Sequence, residues 1–176
     1  MRVALRPHPE SAALGEFVLE VELERQEGAL LLGYTLQGEL ERLRLPDVGA
    51  VLPLQRLWAH TCFELFLARE GSGGYREFNF SPSGQWAFYA FSAYRQPTPA
   101  PEPPAPCQRW HRAPSCLSLR VRLSPESLPS GRGALRLGLA AVLEGHGGAF
   151  SWWALAHPPG RPDFHAPEGF ALRWEG

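Results

Sequence analysis

The sequence of 176 residues predicts an all-β fold, an antiparallel β-sandwich of about ten strands, on three observations. Short runs alternate apolar and polar residues, Gly, Pro and Ser clusters separate those runs at close spacing, and no long stretch keeps the 3.6-residue period of an amphipathic helix. Residues 1–176 are read as one domain, since a chain of this length suits a single hydrophobic core.

The alternation starts at Phe17, where Phe17, Leu19, Val21 and Leu23 share one face and the intervening glutamates share the other. Gln26-Glu27-Gly28 then leads into Ala29 to Leu36, so the two runs read as a hairpin. Leu40 to Leu45 is expected to continue the meander, with Leu43 and Leu45 in phase. In Trp58 to Leu67, Phe63, Leu65 and Leu67 oppose Cys62, Glu64 and Phe66, and a buried free thiol is expected at Cys62. After Gly-Ser-Gly-Gly at 71–74, Arg76, Phe78 and Phe80 oppose Tyr75, Glu77 and Asn79. The turn at residues 81–84 precedes a third aromatic run, Trp86 to Ser92, and the three runs should be consecutive antiparallel neighbours.

Residues 96–108 carry six prolines and read as an extended surface connection without helix or central strand. Strands are expected again at Ser115 to Leu123, Ala134 to Leu143, Phe150 to Leu155 and Phe170 to Trp174, with a helical turn at Ser124 to Leu128. Trp152 and Trp153 must face opposite sides of their strand.

Composition narrows the function. All 17 basic residues are Arg, the net charge is -1, and no basic stripe is dense enough to neutralise phosphates, so nucleic acid is not an expected partner. No apolar run has the length of a membrane span or a secretory signal, which makes the cytoplasm the expected location and leaves the cysteines reduced.

The runs Trp58–Leu67, Tyr75–Ala87 and Tyr94-Arg95, with Trp152–Pro158 and Pro162–His165, resemble the DOMON-like domains related to family-9 carbohydrate-binding modules. The resemblance implies a jelly-roll type of β-sandwich with a ligand face on one sheet. In sugar-binding relatives aromatic rings clamp the sugar and polar groups bond its hydroxyls, whereas DOMON relatives hold haem through Met and His. Met1 is the only methionine, so a Met/His haem site is not expected, although two histidines would still be able to ligate iron.

Alternation and pairing should bring Glu64, Glu77 and Asn79 together beside aromatic rings, a combination suited to a polyhydroxylated ring. The expected ligand-binding set is Trp58, Glu64, Glu77, Asn79, Trp86, Tyr94, Arg95 and Trp153, and the expected function is non-catalytic binding of a carbohydrate or sugar-like metabolite. Against this stands a structural role, in which one or both glutamates pair with Arg76, Arg95 or another arginine inside a buried network. His60, His157, Asp163 and His165 are the candidates for a metal or haem site, though their spacing fits no zinc signature. A protein-interaction face and a glycosidase using Glu64 and Glu77 are the remaining alternatives.

Overall fold

A computed structural model describes residues 1–175 of the chain. Its strands are β1 (Arg2–Pro7), β2 (Phe17–Gln26), β3 (Ala29–Gly38), β4 (Cys62–Arg69), β5 (Tyr75–Phe80), β6 (Trp86–Ala93), β7 (Gln96–Pro97), β8 (Cys107–Ala113), β9 (Cys116–Leu123), β10 (Leu135–Glu144), β11 (Phe150–Ala154) and β12 (Leu172–Trp174). All pairings are antiparallel, in the order β7-β6-β5-β4-β10-β11-β1-β2-β3-β9-β8, with β12 added to β10. Strand β1 is the corner of the sandwich. Its first residues pair with β2 in the first sheet, and Arg6 and Pro7 pair with β11 in the second.

The two sheets meet through the apolar phase of each strand. Leu19, Val21 and Leu23 of β2, Leu30 to Leu36 of β3 and Leu117 to Leu123 of β9 face Phe63, Leu65 and Leu67 of β4, Phe78 and Phe80 of β5, and the odd-numbered residues of β10. Burying each of these side chains is worth about 1.5–3 kcal/mol. The Tyr34 ring stacks on Phe63 at 4.9 Å, and Phe63 stacks on Trp110 at 5.5 Å, so aromatic contact links the sheets directly. The Tyr34 hydroxyl completes the link by donating to the Glu64 carbonyl at 2.6 Å.

Expectation and structure differ at four places. Leu40 to Leu45 is not a meander strand: Leu40–Arg42 is a 3-10 turn, because Leu40 and Leu43 both bury and a spacing of three matches that helix. Strands β1 and β8 carry too few buried residues to announce themselves, with Leu5 alone buried in β1 and none in β8. The proline-rich connection ends in short edge strands, where a missing N–H faces outward and costs no ladder bond. Phe170 lies outside β12 and packs on Phe66 and Tyr75.

Two segments cover the outer face of the second sheet. One is the pair of 3-10 turns over Leu54–Ala59, kinked at Arg56. The other is the chain that follows β11, whose Phe164, His165 and Phe170 rest on Phe66, Tyr75 and Phe91. Strand β4 is therefore buried on both faces from Cys62 to Leu67. Cys62 is a buried free thiol, as its phase suggests, and Cys107 and Cys116 are also free.

The aromatic link sets two expectations for stability. Phe63→Ala should cost about 3–5 kcal/mol by opening a cavity between the sheets. Tyr34→Phe, which keeps the ring and removes only the hydroxyl, should cost about 1 kcal/mol. Urea midpoints measure both, and equal losses would mean that the hydroxyl, not ring packing, ties the sheets.

Candidate functional site

The outer face of the second sheet carries the polar phase of its central strands. Glu64 on β4 lies directly opposite Asn79 on β5, and Glu77, two residues before Asn79, lies opposite Tyr89 on β6. Covering segments leave an opening of about 380 Å³ over this face. Glu64, Glu77, Tyr89, Phe91, Pro97, Val142 and Trp152 line it from the sheet, and Trp58, Arg95, Pro162, Phe164 and His165 line it from the turns and overlying loops. Two roomier grooves, of about 540 and 800 Å³, lie beside β2–β3–β9 and along residues 7–18. Neither is lined by a buried polar atom that lacks a partner, whereas this cleft is.

That atom is Glu64 Oε1. Glu64 is 3% exposed and Glu77 4%, and no arginine forms an ion pair with either one, although the charge of Arg95 reaches Glu77. Arg76 projects from the opposite face of β5 and donates to the carbonyls of Glu126 and Leu128. Arg95 donates instead to Asp163 at 2.7 Å. Glu77 Oε1 accepts from Asn79 Nδ2 at 2.8 Å, and Asn79, wholly buried beneath the cleft, keeps an unpartnered Oδ1. Glu64 and Glu77 thus form no buried ion pair with an arginine.

Burial dominates the electrostatics. It pushes the Glu64 carboxyl well above its ordinary range, and the neighbouring Glu77 charge pushes it further. Burial also raises Glu77 to about 7, against the opposing hydrogen bond from Asn79 and the charge of Arg95. His165 is pushed down to about 4, first by burial and then by Arg95, so it is neutral at pH 7 and its 3.8 Å approach to Glu77 is no ion pair.

One hydrogen-bond chain sets the rim. The Arg95 backbone N–H donates to the Tyr75 hydroxyl at 3.1 Å, and that hydroxyl shares a hydrogen bond of 2.8 Å with His165 Nδ1. His165 Nε2 is the nitrogen that approaches Glu77. Asp163 accepts from the Tyr94 hydroxyl, the Arg95 guanidinium and the His165 N–H. Burial would raise the Asp163 carboxyl, but these donors outweigh it and hold the group below its ordinary value. Arg95 adopts a left-handed φ of 51° in the two-residue turn between β6 and β7, a conformation that these bonds maintain.

Of the expected ligand set, Trp58, Glu64, Glu77 and Arg95 line the cleft, with Asn79 behind them. Trp86 and Trp153 do not. Trp86 pairs with Phe80 and shares its inward phase, and Trp153 packs in the core with its indole N–H donating to Ser151. Trp152, of opposite phase, is the indole that reaches the cleft. Tyr94 stands just outside, its hydroxyl spent on Asp163. The expected set also omitted Tyr89, although the short turn at residues 81–84 pairs Phe80 with Trp86 and so places Tyr89 opposite Glu77.

The four metal candidates are dispersed. His60 bonds Glu144 at 2.8 Å, His157 bonds the Arg6 carbonyl at 2.9 Å, and Asp163 and His165 belong to the rim chain. Among the described residues no group of three or more His, Cys, Asp or Glu side chains is placed to hold a metal ion.

No protein-family model matches the sequence, and comparison with curated proteins finds no match. Solved structures do match in shape. A proposed carbohydrate-binding protein from Bacteroides uniformis superposes with a TM-score of 0.63 at 15% identity, over 93% of this chain and 82% of that one. A family-9 carbohydrate-binding module from Caldicellulosiruptor kristjanssonii in complex with cellotriose gives 0.62 at 8% identity, over 91% and 74%. A family-9 module from the same organism in complex with glucose gives 0.56 at 8% identity, over 82% and 70%. At these identities the likeness is one of fold.

The raised Glu77 makes stability depend on pH. A carboxyl held at about 7 when folded and at its ordinary 4.5 when unfolded binds its proton only in the folded state between those values. Its stabilisation is complete below the lower value and is lost as pH rises through the upper one. Relative to Glu77→Gln, the wild type should lose up to about 3 kcal/mol between about pH 5 and pH 8. His165 shifts in the opposite sense and is common to both proteins, so it drops out of the comparison. Denaturant midpoints across this range provide the measurement, and a pH-independent difference would mean that Glu77 titrates normally.

Proposed function

We propose that this chain binds a sugar-like ligand, without catalysis, in the cleft above β4, β5 and β6. The observation that carries the reading is a concave, ring-lined opening over buried carboxyls that have no arginine partner. Trp58 and Trp152 offer ring faces to the apolar side of a pyranose, while Glu64, Glu77 and the His165 imidazole meet its hydroxyls. The fold shared with modules solved in complex with cellotriose and glucose supports the same reading. The concavity suits a small ligand better than a flat protein partner.

The placement of the two acids speaks against catalysis. Glycosidase acids flank the scissile bond from two sides, whereas Glu64 and Glu77 project from one face of two neighbouring strands and meet a ligand from the same side.

Calorimetric titration with glucose and cellotriose tests the proposal. Binding is expected in the millimolar range or tighter, weakened about tenfold or more by Trp58→Ala or Trp152→Ala. Trp86→Phe, on the core side, should leave affinity unchanged. Lack of binding by either sugar at millimolar concentration would refute the reading, and equal effects at Trp86 and Trp152 would move the site elsewhere.

A further inference from the structure

We infer that the ligand carries a protonated amine seated on Glu64 and Glu77, so that the cleft selects an amino sugar over its neutral counterpart. The inference rests on the sugar reading for the site and adds the chemical class of the ligand.

No side-chain cation forms an ion pair with either acid. The sequence contains no lysine, Arg76 faces the other side of β5, and His165 is neutral. Arg95 lines the cleft and its charge lowers Glu77, but its guanidinium is bonded to Asp163 and pairs with neither acid. What remains is two adjacent carboxyls, each more than nine-tenths buried, one with an oxygen that has no partner.

Two acids enclosed together resist ionisation because each loses hydration and repels the other. A neutral hydroxyl relieves little of this, since it adds a hydrogen bond but no charge. An ammonium offers three donors and a positive charge at once, and it also attracts the aromatic faces around it. Trp58, Tyr89, Phe91 and Trp152 furnish those faces on the sheet and the rim. An anionic ligand would oppose ionisation of the same carboxyls still further, and its natural partner, Arg95, is already engaged.

Titration of the full chain at about pH 6.5, where amines of this kind are protonated, tests the assignment. The probes are glucosamine, N-acetylglucosamine, glucose and cyclohexylammonium, the last having an amine but no hydroxyls. Glucosamine should bind about tenfold or more tighter than glucose and N-acetylglucosamine, and Glu64→Gln and Glu77→Gln should each erase most of that preference. Circular dichroism of both variants establishes that they are folded. Equal affinity for glucosamine and glucose would overturn the amine assignment while leaving sugar binding in place, as would a preference that survives in both variants. Binding of cyclohexylammonium alone, lost in Glu64→Gln, would support the amine seat and refute the sugar reading. If none of the four probes binds, both fall.

Discussion

The central strands of the second sheet are buried on both faces, and the character of the site follows from that constraint. A sandwich strand normally leaves one phase to solvent, which is why polar residues alternate with apolar ones along it. Here the inward phase of β4 packs against the first sheet, and the outward phase lies under residues 54–59 and the chain after β11. Glu64 thus occupies a position ordinary in pattern and unusual in environment. Its carboxyl has the phase of a surface residue and the solvation of a core residue.

Asp163 keeps the covering chain in place without sealing the face. It receives donors from Tyr94 and Arg95 on the β6–β7 turn and from the backbone of its own loop, which joins two segments distant in sequence. The same bonds immobilise the Arg95 guanidinium, the one cation close enough to neutralise Glu77. Had Arg95 turned inward, the acids would have formed a closed structural network of the kind common in buried polar clusters. Because Asp163 holds the arginine at the rim, the acids stay unpaired and the opening persists.

Much of this was legible in the residues. The phase of Glu64 against Phe63 and Leu65, and of Glu77 and Asn79 against Phe78, placed the acids on one outward face, and the short turns made β4, β5 and β6 neighbours. Strand period is a local property, so it survives any tertiary arrangement. What sits above a sheet is not local. Nothing in the period of Pro162-Asp163-Phe164-His165 indicates that it folds back onto Phe66, Tyr75 and Phe91, because its conformation is set by those contacts and not by its own pattern. The exchange of Trp153 for Trp152 has a different origin. The pair had to divide between core and surface, but a strand assigned without its partner leaves the direction of that division open. Pairing of Ala141 with Trp153 settles it, since Ala141 shares the inward phase of β10.

The cost of the acids bears on how the cleft should be understood. Two carboxyls taken from water, with one oxygen unsatisfied, lower stability at neutral pH and return only a hydrogen bond to Asn79. The surrounding packing does not require them: Val142, Ala87 and Phe66 share the same face, and an apolar side chain would fit this environment with less penalty. Polar groups that conflict with folding in an otherwise consistent structure mark the places where function sets the residue. The conflict falls on Glu64, Glu77 and Asn79, directly beneath the opening, His157 Nδ1 being the other buried polar atom without a partner among the described residues. A ligand that brings positive charge removes the conflict, whereas one that brings only bulk leaves it in place.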